Sequence, residues 1–156
     1  MNQTQLDEKF MLQALAISKQ AFPVCLPNPP IGCVLVSANQ VVASGYTHAP
    51  GFAHAEADAL ANYLATTDIA AQNFSELTAY VTLEPCSFYG RTPSCALTLI
   101  EHKIKRVVIS LVDPDPRNNG AGINLLIKAG IDVQVGICSN QISIFLNPFM
   151  PEIASK

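Results

Sequence analysis

His54-Ala55-Glu56, Glu84-Pro85-Cys86 and, after Ser87-Phe88-Tyr89-Gly90-Arg91-Thr92-Pro93-Ser94, a second cysteine at Cys95 together decide how this chain is read. One imidazole and two thiolates, His54, Cys86 and Cys95, make three ligands for Zn²⁺ and leave the fourth tetrahedral position to a water. Structural zinc sites take four protein ligands, and no fourth Cys or His stands at a fitting spacing. Glu56 is too near His54 in sequence to lie elsewhere in space. A carboxylate beside a three-ligand metal has the position of a general acid and base.

Local geometry sharpens this. Residues two apart on a regular helix point to nearly opposite sides, so His54 and Glu56 share a site only if His54 lies at or just before a helix start. Cys86 and Cys95 likewise flank a loop that runs into a helix. The metal is therefore expected in front of helix N-termini, whose partial positive charge favours thiolates and a bound hydroxide. Zinc held by a neutral imidazole and two thiolates carries no net charge and activates water only mildly. Glu56 is then needed to deprotonate the water, protonate a ring nitrogen and pass a proton to departing ammonia. That is the chemistry of a zinc deaminase. The other cysteines, Cys25, Cys33 and Cys138, read as small buried apolar residues.

Outward from this centre the chain alternates. Helical spacing of apolar residues covers about Thr4 to Ala21 and ends at Phe22-Pro23. Leu26-Pro27-Asn28-Pro29-Pro30 is a loop, because its prolines remove donors and fix φ. Ile31–Val36 and Val41–Tyr46 read as strands of a hairpin joined by Ser37-Ala38-Asn39-Gln40. A loop over Thr47–Ala53 delivers His54, and Ala55–Ala65 is helical. Thr78–Leu83 is a buried strand capped by Glu84-Pro85-Cys86. Ser94–His102 is a helix with Pro93 set for its first turn, Arg106–Leu111 a strand, Ile123–Ala129 a helix closed by Gly130, Ile131–Val135 a strand, and Gln141–Leu146 a final short helix. Right-handed crossovers then predict an α/β fold, a three-layer α-β-α sandwich around a mixed five-stranded sheet.

Composition narrows the function classes. A chain of 156 residues is expected to be one domain, 1–156. Only 13% of residues are charged and 49% are hydrophobic, which points to apolar surface covered by a second copy, a homodimer or homotetramer. A net charge of −3 with no Lys/Arg run argues against nucleic acid as a partner. The polar N-terminus is no signal peptide, and no apolar run could span a bilayer. Five cysteines at uneven spacing read as reduced thiols of a cytoplasmic protein.

The same residues carry a resemblance. His54-Ala55-Glu56 with Glu84-Pro85-Cys86 resembles the cytidine-deaminase superfamily, which usually places two residues between its cysteines where this chain has eight. The longer loop with Gly90-Arg91-Thr92-Pro93 is similar to the deaminase domain of riboflavin biosynthesis. Pro27-Asn28-Pro29 with Ile31-Gly32-Cys33-Val34 continues the match, as do Asp113-Pro114-Asp115-Pro116, Gly120-Ala121-Gly122-Ile123, Ala129-Gly130-Ile131-Asp132-Val133 and Leu146-Asn147. It implies a cytidine-deaminase-like fold and a zinc-dependent hydrolase that removes the 2-amino group of a diamino-ribosylamino-pyrimidinone phosphate. By motif position, Asn28 would hold the pyrimidinone edge, Arg91 would meet the ribose phosphate and Asp113 would bind the sugar. The C-terminal reductase domain usual in the bacterial family is not expected in this chain, and a free-standing deaminase could work beside a separate reductase.

Three departures touch substrate recognition. The family's histidine after Gly45-Tyr46 is Thr47, with His48 one step later as its substitute in a shifted loop or as a surface residue. The family's polar residue after Ser87 is Phe88. Asp-Pro-Asn-Pro reads Asp113-Pro114-Asp115-Pro116, and an added carboxylate at Asp115 repels a phosphate. The alternatives are therefore a deaminase of another aminopyrimidine, purine or pterin-like ring, and a non-catalytic zinc-binding regulatory module, against which Glu56 argues.

Overall fold

The computed structural model describes residues 1–150, so the end of the predicted domain, 151–156, lies outside the described residues. Among the described residues five α-helices, α1 (Gln3–Ser18), α2 (Ala55–Thr66), α3 (Cys95–Glu101), α4 (Ala121–Lys128) and α5 (Ser139–Leu146), surround five strands, β1 (Gly32–Ser37), β2 (Gln40–Tyr46), β3 (Thr78–Leu83), β4 (Arg106–Leu111) and β5 (Asp132–Val135). The sheet order is β2-β1-β3-β4-β5. β1 runs antiparallel to both β2 and β3, while β3, β4 and β5 are parallel. The mixed sheet and the helical layers are as the alternation of elements predicted.

Pleating assigns the faces. Tyr80 on β3 reaches Asp7 of α1 with its hydroxyl, and a Cβ on Gly32 would overlap the backbone of Ala14 on the same helix. One residue along, Gly45 pairs with Cys33, and a Cβ on Gly45 would overlap the backbone of α2 at Ala55 and Ala59. Alternate residues thus meet α1 and α2 on opposite faces. Leu35, Val81, Val107 and Ile109, all fully buried, share the face of Cys33 and lie beneath the α2 layer.

Boundaries moved where caps act. Asn2 forms a capping box with Gln5, so α1 begins earlier than the apolar spacing suggests, and its end tightens into a 3₁₀ turn over Lys19–Ala21. The hairpin turn is only Ala38-Asn39, both with positive φ (49° and 60°), the primed geometry whose twist suits two strands. α4 starts at Ala121 rather than Ile123, because Glu84 satisfies the N–H of Ile123 from outside the helix. Cys25 and Cys33 are buried as expected, but Cys138 is half-buried, the left-handed residue that opens α5. No helix among the described residues is long and apolar enough to cross a membrane.

Candidate metal centre and catalytic cavity

The ends of the parallel strands gather the chemistry. β3 leads into Glu84-Pro85-Cys86 and β4 into the loop that holds Asp113, so both loops open at the same edge of the sheet. His54 is the N-cap of α2 with extended backbone, and Cys95 is the first residue of α3. The excursion from Cys86 closes on itself there. Ala96 N–H and the Ser94 hydroxyl donate to the Cys86 carbonyl at 3.0 and 2.7 Å, and Cys95 N–H donates to Cys86 Sγ at 3.2 Å.

His54, Cys86 and Cys95 place their ligand atoms within 4.8 Å of one another. His54 Nδ1 lies 3.9 Å from Cys86 Sγ and 3.5 Å from Cys95 Sγ. Tetrahedral zinc with ordinary Zn–N and Zn–S lengths requires such N···S edges to be about 3.6 Å. The residues fit the metal. Their chemistry fits it too, for a hydrogen bond from the Cys95 thiol, with further help from His54 and the Cys95 N–H, holds the Cys86 thiol down to about 4. Cys95, serving as that donor and buried, is pushed up.

The imidazole is aimed by its other nitrogen. His54 Nε2 lies 3.2 Å from Thr92 Oγ1. A proton on Nε2, donated to that hydroxyl, leaves the Nδ1 lone pair free for metal, the usual arrangement of an outer partner on a ligating histidine. Thr92 was quoted in the sequence motif without a role; nothing in spacing pairs it with His54.

Glu56, in the first turn of α2, is 4% exposed. Burial, then the charge of Cys86, raises its carboxyl to about 7; a bound dication would act the other way. It lines a cavity of about 200 Å³ with His54, Cys86 and Leu83. Asn28, Asp113 and Asp115 line the same cavity, and Thr47 and Phe88 complete its wall. Arg91 lines a second cavity of about 320 Å³ that shares Asn28, His54, Cys86 and Phe88 with the first.

His48 lines neither cavity. Its ring stacks on Tyr46 with centroids 5.0 Å apart, and Nε2 approaches Asp58 Oδ1 at 3.0 Å. Thr47 instead faces inward, buried, with its hydroxyl accepting the Ile31 N–H at 3.1 Å. Asp113 is more committed than a sugar ligand need be: Oδ1 accepts Asp115 N–H at 3.0 Å and Oδ2 the Asn118 amide at 3.3 Å. Burial pushes its carboxyl up.

Glu84 and Asn118, both buried, are the supports that sequence reasoning missed. Glu84 Oε1 accepts from Asp113 N and Gly120 N at 3.0 and 2.9 Å, and Oε2 from Ile123 N at 3.1 Å. Asn118 donates to the Pro85 carbonyl at 3.2 Å and accepts Gly122 N–H at 3.1 Å. Together they bolt the metal loop to the loop carrying Asp113 and Asp115.

The "Riboflavin biosynthesis protein RibD" of Chlamydia pneumoniae is 40% identical over 141 residues, 90% of this chain and 36% of the relative. The "Diaminohydroxyphosphoribosylamino-pyrimidine deaminase" of Buchnera aphidicola is 38% identical over 135 residues, 86% of this chain and 87% of that protein. The solved structure of Acinetobacter baumannii RibD superposes with a TM-score of 0.87 at 36% identity, covering 99% of this chain and 42% of that one. The chain thus spans about a third of the length of the first of these relatives and most of the second. Residues 4–111 match the model of the cytidine and deoxycytidylate deaminase zinc-binding region, and with that match covering more than half of its length the chain belongs to this family of zinc-binding deaminases.

Proposed function

We propose that the protein hydrolyses the 2-amino group of a diamino-ribosylamino-pyrimidinone phosphate, the deamination step of riboflavin biosynthesis. The observation that carries this reading is the buried Glu56 carboxylate, lining the same cavity as His54 and Cys86. The kinship with proteins bearing the RibD and pyrimidine deaminase names supports the choice of ring.

Zinc held by His54, Cys86 and Cys95 supplies, when bound, the Lewis acidity that activates water. Glu56 takes the water proton as the oxygen bonds to the amidine carbon, and delivers it to the adjacent ring nitrogen. It then carries the second proton to the amino group as the C–N bond breaks, so one water enters and one ammonia leaves. Asn28, held between Pro27 and Pro29, presents its amide to the ring edge, while Ile31 and Leu83 give the cavity apolar walls that exclude bulk water. Arg91 stands in the adjoining cavity for the ribose phosphate.

The partners and setting follow from the same reading. The protein acts on a small molecule in the cytoplasm, as a homo-oligomer that covers exposed Leu97 of α3 and Ile127 of α4, and passes its product to a reductase. Light scattering tests the oligomer: a strict monomer removes the burial argument.

Ammonia release from the phosphorylated precursor by zinc-loaded protein is the direct test. Glu56→Gln, at matched zinc content, is expected to lower turnover roughly a thousandfold. Release that survives the substitution, or wild-type protein inert toward the precursor, overturns the proposal.

A further inference from the structure

Two of the departures from the family pattern, Phe88 and Asp115, meet in one place. Both touch Arg117. Its Nη2 and Nε lie 2.7 and 3.2 Å from Asp115 Oδ2, and its guanidinium carbon lies 4.5 Å from the centroid of the Phe88 ring. The Arg117 N–H also donates to Asp115 Oδ1 at 3.0 Å, closing the turn that sets the side chain's direction. Nη1 makes no hydrogen bond among the described residues. Arg117 lines the cavity that also holds Arg91, next to the shared wall of Phe88, Asn28 and His54.

Charge makes the arrangement informative. An isolated Asp115 on the catalytic cavity would repel an anionic substrate. Here its carboxylate is held low by the Arg117 guanidinium, and the cation is anchored on a π face on one side and a carboxylate on the other. The Arg117 side chain is 70% exposed, so these two contacts orient the guanidinium and leave it open to a second anion. The departures at Phe88 and Asp115 thus make one change in two halves, joined through Arg117.

We propose that Arg117 is a second anion-binding residue of the substrate site, sharing the phosphate monoester of the substrate with Arg91, and that Phe88 and Asp115 position it. Asp115 on this account orients the arginine and does not itself contact substrate. The inference rests on the deaminase reading above, and it deepens that reading by naming what selects the phosphorylated ring.

The test compares kcat/KM for the phosphorylated ribosylaminopyrimidinone with that for its dephosphorylated form, using zinc-loaded protein. Arg117→Gln is expected to reduce the preference for the phosphorylated form by roughly tenfold to a hundredfold, through KM. Asp115→Asn, which keeps the cation but loosens it, is expected to reduce the preference by about threefold in the wild-type background and not at all in Arg117→Gln, the non-additivity of residues acting as one unit. An unchanged preference in Arg117→Gln overturns the proposal, as does an equal loss on both substrates. Binding of ribose 5-phosphate, followed by calorimetry, gives a readout independent of turnover. If wild-type protein deaminates neither ring, the functional reading fails; loss of ribose 5-phosphate binding in Arg117→Gln still upholds the anion site, and binding equal to wild type still rejects it.

Discussion

The carboxylate of Glu84 accepts the backbone N–H of Asp113 at 3.0 Å, across the gap between the loops that follow β3 and β4. With two more N–H groups, those of Gly120 and Ile123, on the same carboxylate, one side chain ties the segment leading to Cys86 to the segment holding Asp113. Hydrogen bonds to a charged acceptor contribute about 1.5–3 kcal/mol each, net of the exchange with water. Glu84→Ala should destabilise the zinc-loaded protein by roughly 3 kcal/mol and speed amide exchange at Asp113, Gly120 and Ile123. Urea unfolding and hydrogen exchange check this; unaltered exchange at those amides removes Glu84 from its supporting role.

The Thr92 hydroxyl should govern zinc affinity through the orientation and tautomer of His54. Thr92→Val is expected to weaken zinc binding by roughly tenfold to a hundredfold, the usual effect of deleting an outer partner of a metal ligand. Thr92→Ser should restore most of it, because the hydroxyl returns. Competition against a chelator measures both, and equal affinity in all three proteins defeats the assignment.

Gly122 leaves no room for a side chain. A Cβ there would overlap the Pro85 carbonyl oxygen, a backbone atom next to Cys86 of the candidate metal group. Gly122→Ala should therefore cost about 1–3 kcal/mol by forcing α4 away from the metal loop. The thermal midpoint of zinc-loaded protein should fall, and Cα-deep contact of this kind predicts that zinc affinity falls with it.

Acid stability should report on Asp7. Its carboxylate, at the edge of the core, accepts from Arg106 Nη1 and Nη2 at 2.7 and 2.9 Å and from the Tyr80 hydroxyl at 2.7 Å. Burial raises the carboxyl, but the Arg106, Tyr80 and Gln3 hydrogen bonds outweigh it and leave it below its ordinary value of 3.8. A folded-state value below the unfolded one stabilises fully above 3.8 and is lost as pH falls through the lower, folded value. Asp7→Asn leaves Arg106 without its buried partner and should cost about 3 kcal/mol near neutral pH. The gap between wild type and variant should narrow below about pH 4. Zinc loss at acid pH strikes both proteins alike, so a gap that stays constant would dissociate Asp7 from the acid limb.

Much of the architecture was legible because local signals agreed. Proline-rich Leu26–Pro30, the β-rich runs on either side of Asn39, and the Ala/Leu-rich run after His54 each favour one conformation before any tertiary contact forms. Element ends were less legible, since Glu84 and Asn2 set them by hydrogen bonds that apolar periodicity does not register. The order of strands, with β1 between β2 and β3, was not legible at all.

The sequence by itself determined the three residues, His54, Cys86 and Cys95, that the fold gathers into a group able to hold a metal. His54, Glu56, Cys86 and Cys95 lie close enough along the chain to helix starts and strand ends that residue type and spacing constrain their geometry. Only the tertiary structure decided the surroundings: that His48 turns to Asp58, that Thr92 aims His54, that Glu84 joins two loops, and that Phe88 and Asp115 meet at Arg117. Those contacts join segments separated in sequence, or depend on a side chain's direction. Pattern fixes which face a residue occupies, but the packing of sheet and loops fixes which neighbour waits there.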